Sequence, residues 1–167
     1  MVTEAASSKA LAPNERIYPT KFGDIHFTLW GTNPKNLDVP YRCTATFEDL
    51  CINGIAYRGV LHLDYRKGYW AGAEEPASWQ WRVERASIRR EQNAGAPTDN
   101  ARHTLYLVTR EALDAWQSDA EWRLAGDRFQ IQQEIAAENR HLDDLRQQVA
   151  TCLDVIARKQ SELAALS

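Results

Sequence analysis

The stretch "VLHLDY" places His62 and Asp64 two residues apart, a His–carboxylate spacing that could share a proton or a metal ion. On a strand, side chains two apart share a face at a separation of about 7 Å. Such a pair could serve as an acid–base or metal site, but an ordinary exposed polar strand face is by far the commoner account. His26 alternates with Thr28 in the same strand-like manner, His103 adjoins a loop, and His141 falls within a helical repeat. Phosphate-cradling glycine loops, H-E-x-x-H, G-x-S-x-G and calcium-loop patterns do not occur in the sequence. Cys43, Cys51 and Cys152 are odd in number and scattered, with no C-x-x-C pair, which argues against a disulfide framework or a zinc knuckle. They fit a reducing, cytoplasmic setting. Cys43 alternates with apolar residues and reads as core. No catalytic residue, metal site or cofactor is expected.

Arginine beside aromatic residues offers a second chemistry. "DYRKGYW" carries Arg66, Lys67, Tyr69 and Trp70, and "WQWRVERASIRR" carries Trp79, Trp81, Arg82, Arg85, Arg89 and Arg90. Guanidinium groups meet phosphates and aromatic rings stack on bases, the combination that single-strand binders use. The same arginines would serve equally to grip an acidic protein surface. Alternation sets Trp79 and Trp81 on the face opposite Arg82, so core tryptophans beside a solvated basic edge are the plainer account. The formal charge of −3 offers no bulk attraction to a polyanion.

Stepping along the chain, composition changes near residue 108. Residues 1–108 hold 13 Lys/Arg against 12 Asp/Glu, and residues 109–167 hold 7 against 11; all six prolines precede residue 98. Residues 1–16, rich in Ala, Ser and Pro, read as a flexible arm without the basic and apolar regions of a secretory signal. No run approaches the roughly 20 apolar residues of a membrane span. Residues 17–108 read as an antiparallel β domain. "DIHFTLW" alternates Ile25, Phe27 and Leu29 with polar residues; "YRCTATF" repeats the pattern through Tyr41, Cys43, Ala45 and Phe47. Asn53-Gly54 predicts a two-residue hairpin turn between strands at about 48–52 and 55–65, with Gly59 at a bulge. "SWQWRVER" supplies another strand and "TLYLV" the last, with "EQNAGAPTDNARH" as a loop between them.

Beyond residue 108 the pattern is helical. Thr109 is the predicted N-cap of a docking helix over 109–125, with Trp116 as its buried anchor; Gly126 breaks it from a long coiled-coil-like helix over 127–166. Counting Ile135 as heptad position a gives a positions Ile135, Leu142, Val149, Ile156 and Leu163. The d positions are Ile131, Glu138, Leu145, Cys152, Lys159 and Leu166, with Leu153 and Val155 on the flanks. This is the seam of a coiled coil rather than the broad stripe of a surface helix. Forty residues of helix extend about 60 Å, whereas a five- or six-stranded sheet is only about 25 Å across.

The expected fold is therefore α+β: about six antiparallel strands in a curved sheet, barrel or sandwich, then a short docking helix and a long coiled-coil-like helix. The expected function is non-catalytic binding, as an adaptor, regulatory or assembly protein, through a protein partner or homo-oligomer on the helix seam. A nucleic-acid-binding protein dimerised by the helix is the alternative; an accessory or inhibitor protein of a virus or mobile element would share these features. No membrane association is expected.

Overall fold

The structure, a computed structural model, describes residues 10–31, 41–67, 79–93 and 95–167. Five strands, β1 (Glu15–Thr20), β2 (Gly23–Trp30), β3 (Tyr41–Ile52), β4 (Ile55–Lys67) and β5 (Trp79–Arg90), form one antiparallel sheet in the order β1-β2-β3-β4-β5. Every neighbour in sequence is a neighbour in the sheet, and the sheet stays open, with β1 and β5 as its edges. Helix α1 (Asp99–Leu113), a 3₁₀ turn (Asp114–Ser118) and helix α2 (Ala120–Ala165) follow. The fold is α+β with a short and a long helix, as the sequence indicates.

The alternating pattern sets the core. Ile25, Phe27 and Leu29 on β2, Cys43, Ala45 and Phe47 on β3, and Leu61 and Leu63 on β4 are all buried on one face. Asn53 and Gly54 both have positive φ, 52° and 77°, the geometry a two-residue hairpin turn demands. Two bulges interrupt the ladders. One lies on β3 between Phe47 and Leu50, where Glu48 and Asp49 oppose a single residue, and one on β5 at Glu84. Gly59 is not itself bulged: it sits across from Phe47, where an added Cβ would collide with the backbone of Ser87 and Ile88 on β5.

The strand expected at 104–108 is helical. Thr98 caps α1, its hydroxyl accepting the Ala101 N–H at 3.3 Å, and Asp99 occupies the first turn, where the helix dipole favours an acid. Ala101, Leu105, Thr109 and Leu113, four residues apart, form the buried face. Thr109 is thus mid-helix rather than a cap. Its hydroxyl donates to the Leu105 carbonyl at 2.7 Å, which satisfies it within the core. The docking helix accordingly spans 99–113, not 109–125, and the sheet has five strands instead of six. A strand missed by the sequence reading, β1, replaces part of the expected arm. Its Pro19 costs no ladder bond at a sheet edge. Asn14, expected to be loose, is buried: its Nδ2 donates to the Leu29 carbonyl at 3.1 Å, and its carbonyl accepts the Trp122 indole N–H at 2.6 Å.

Gly126 does not break the helical region either. The break lies at Asp119, whose side chain accepts the Trp122 N–H at 2.9 Å and pairs with Arg16 at 3.1 Å. Desolvation raises the Asp119 pKa, but the Trp122 N–H and the Arg16 and Arg123 guanidiniums outweigh it and hold the carboxyl below its usual value. α2 then runs through Gly126 without interruption. The glycine serves proximity: the Gly31 N–H donates to the Gly126 carbonyl at 2.9 Å, and an added Cβ on Gly126 would press on the Leu29 side chain at 3.0 Å.

Two tryptophans fasten this helical cover to the sheet. Trp116, in the 3₁₀ turn, is 3% exposed and meets Tyr41, Tyr65 and Trp81 with ring centroids 4.8–5.4 Å apart. Trp122, fully buried, packs on Tyr18 and Phe27. The chain forms two compact units, one through Gln130 and one over Ile131–Ser167.

Two outcomes follow from this arrangement. Trp116→Ala should cost about 3–5 kcal/mol in denaturant unfolding, the range for deleting a large buried aromatic; a loss below about 1 kcal/mol would show that the ring is not an anchor. A chain ending at Gln130 should keep the near-UV circular dichroism and cooperative unfolding of the first unit, because the buried residues of the core all precede residue 131. A molten spectrum would show that the later helix is part of the core.

Candidate functional site: the exposed seam of the long helix

From residue 131 onward α2 has no buried residue. Ile131, Ile135, Leu142, Leu145, Val149, Leu153, Val155, Ile156, Leu163 and Leu166 are exposed by 41–85%. Cys152 is an exposed free thiol in the same row. Eight of the nine seam residues expected from the heptad count therefore lie on α2 and share its exposed face; the ninth, Leu166, follows directly after its end at Ala165. The charged residues beside them are partly neutralised within the helix: Arg146 pairs with Asp143 at 3.1 Å and Lys159 with Glu162 at 2.8 Å. Thr151 and Ser161 return their hydroxyls to the carbonyls four residues back, so neither offers a donor sideways. The surface is a row of branched aliphatic side chains with a polar rim. Its chemistry is that of apolar burial.

The basic residues of the first unit distribute differently from the sequence pattern. Arg82, Arg85 and Arg89 lie on the sheet face opposite the core, with His62 directly across from Arg85 and Asp64 across from Arg82. Arg66 pairs with Asp64 at 3.3 Å and also with Glu84. Burial raises the Asp64 pKa, with the neighbouring Glu84 charge adding to it and Arg66 and Arg42 opposing. Arg90 is half-buried, its position pairing with core residue Tyr57. The Lys67 side chain and Tyr69 lie outside the described residues. Arg58, which the sequence reading missed, is the cross-strand partner of Arg89; only the register of β4 on β5 brings the two together.

The described tryptophans of that pattern, Trp79 and Trp81, are not on this face. Trp81 is 2% exposed in the core, and Trp79 stacks on Tyr65 at 5.6 Å. These rings border a cleft of about 270 Å³ between the β4–β5 end of the sheet and α1, which Arg110 and Asp114 also line. Among the described residues no group of three His, Cys, Asp or Glu is placed to hold a metal ion. His26 lies 3.6 Å from Glu15, on the exposed side of the sheet. The Cys43 thiol is fully buried, which pushes its pKa well up against the opposing backbone bond from Thr28. No helix among the described residues is long and apolar enough to cross a membrane. The chain matches no known family, no curated protein and no solved structure at a significant level.

Proposed function

We propose that this chain is a non-catalytic association protein whose working surface is the α2 seam, with the five-stranded sheet as the body that carries it. The observation that supports this most strongly is the row of ten large aliphatic side chains left in water along residues 131–166. Full burial of such a side chain contributes about 1.5–3 kcal/mol. Covering the half of each that remains exposed would contribute roughly 1 kcal/mol apiece on the same scale. An exposed apolar row of this size, interrupted only at Glu138 and Lys159, marks an interaction surface, and its 3-4 spacing suits another helix. The three free thiols fit a reducing compartment such as the cytoplasm.

A double substitution at mid-seam, Leu145→Asp with Val149→Asp, tests the reading. The full chain should recover a partner, itself or another protein, that the double variant does not, while the near-UV spectrum of the variant is unchanged. Equal recovery by both would overturn the assignment of the seam.

A second reading, binding of a nucleic-acid strand on the outer face of β4 and β5, is favoured by one observation. Arg58 and Arg89 oppose each other directly across the ladder, a like-charge pairing that is unfavourable without an anion between them. Binding of a single-stranded oligonucleotide should then fall steeply with salt and be lost on Arg85→Ala with Arg89→Ala. Salt-independent binding, or none at all at low salt, removes this reading.

A further inference from the structure

Building on the association reading, we infer that the partner of the seam is a second copy of this chain, laid antiparallel. The inference comes from the two interruptions in the apolar row. Glu138 and Lys159 both occupy d positions, they carry opposite charge, and three heptads separate them. A parallel, in-register pair would stack Glu138 on Glu138 and Lys159 on Lys159, placing two like-charge contacts inside the seam, where desolvation makes unpaired charge costly. An antiparallel pair sets a against d. Leu142 then shares a layer with Cys152 of the second copy, Leu145 with Val149, and Ile131 with Leu163.

In that register Glu138 packs across from Ile156 and Lys159 across from Ile135, in adjacent layers. Glu138 of one helix thereby comes beside Lys159 of the other on the same side of the seam. The two-fold axis produces this contact twice. Each remaining core layer between Ile131 and Leu163 is aliphatic or pairs an aliphatic residue with Cys152. The seam is thus self-complementary in one orientation and self-repelling in the other, and orientation in helical pairs is set by such polar interruptions.

The rim is less selective. Glu134 faces Glu162, a like-charge contact at the exposed rim. Arg146 approaches its own symmetry mate near the axis, and it is already paired with Asp143. Exposed, screened rim charges contribute little beside charges within the seam.

Cys152 makes the orientation measurable in the full chain, in a Cys51→Ser background with Cys43 left in the core. In the antiparallel pair the two Cys152 residues stand ten residues apart along the axis, about 15 Å, beyond what a disulfide spans. Sedimentation equilibrium should give a dimer. Mild oxidation should leave it non-covalent on a non-reducing gel, and adding Leu142→Cys should convert it to a covalent dimer through the shared layer with Cys152. Glu138→Lys alone should weaken the dimer roughly tenfold, and adding Lys159→Glu should restore it.

A disulfide dimer through Cys152 alone, or no weakening by Glu138→Lys, would mean parallel helices and overturn the inference. A trimer or larger species would overturn the two-helix arrangement. A chain that stays monomeric at every concentration, yet captures a partner in a Leu145- and Val149-dependent way, removes the second copy and leaves the association reading standing. Monomer without capture removes both.

Discussion

The helical cover of the sheet depends on one backbone contact: the Gly31 N–H meeting the Gly126 carbonyl at 2.9 Å. Side chains normally hold a helix off the end of a strand, and here both positions have none. A Cβ on Gly31 would overlap the backbone of Asp127, and one on Gly126 would press on Leu29. Around this point the other fastenings converge. Trp122, one turn earlier, buries its ring on Tyr18 and Phe27 and gives its indole N–H to Asn14. Phe129, one turn later, meets Trp30 at 4.8 Å, and Gln130 accepts from Arg42 at 3.3 Å.

The remainder of α2, from residue 131, is exposed along its apolar row. A helix of 46 residues is about 69 Å long, whereas five strands at about 4.8 Å spacing make a sheet only some 20–25 Å wide. The sheet's core face is already occupied by α1, the 3₁₀ turn and the first turns of α2. Helices in proteins gain most of their stability from packing an apolar face, and the apolar row of residues 131–166 is exposed; we propose that another surface covers it. Here that surface is proposed to be its own copy.

What the sequence made legible is what local periodicity encodes. Ile25, Phe27 and Leu29 announce β2 because burial alternates with the pleat. Asn53-Gly54 announces its hairpin because few other pairs take positive φ at both positions. The heptad row from Ile131 to Leu166 is visible because it repeats five times without help from the rest of the chain. What stayed hidden depends on residues far apart in sequence. Leu105 to Val108 has strand-like composition, and only the four-residue spacing of Ala101, Leu105, Thr109 and Leu113 against the sheet makes it helical. Gly126 reads as a helix breaker until Leu29 and Gly31 lie beside it. Arg58 acquires meaning only across from Arg89, and Asn14 only between Leu29 and Trp122.

The central claim is that residues 131–165 form a helix whose apolar face is exposed in the single chain. Amide hydrogen exchange of the full chain, followed residue by residue to high dilution, tests it most directly. The account predicts that α2 beyond Gln130 exchanges far faster than Leu105–Leu113 of α1 in the dilute chain, and gains protection as concentration rises. Protection of residues 131–165 equal to that of α1 at every dilution would contradict it, because the seam would then be buried within the single chain.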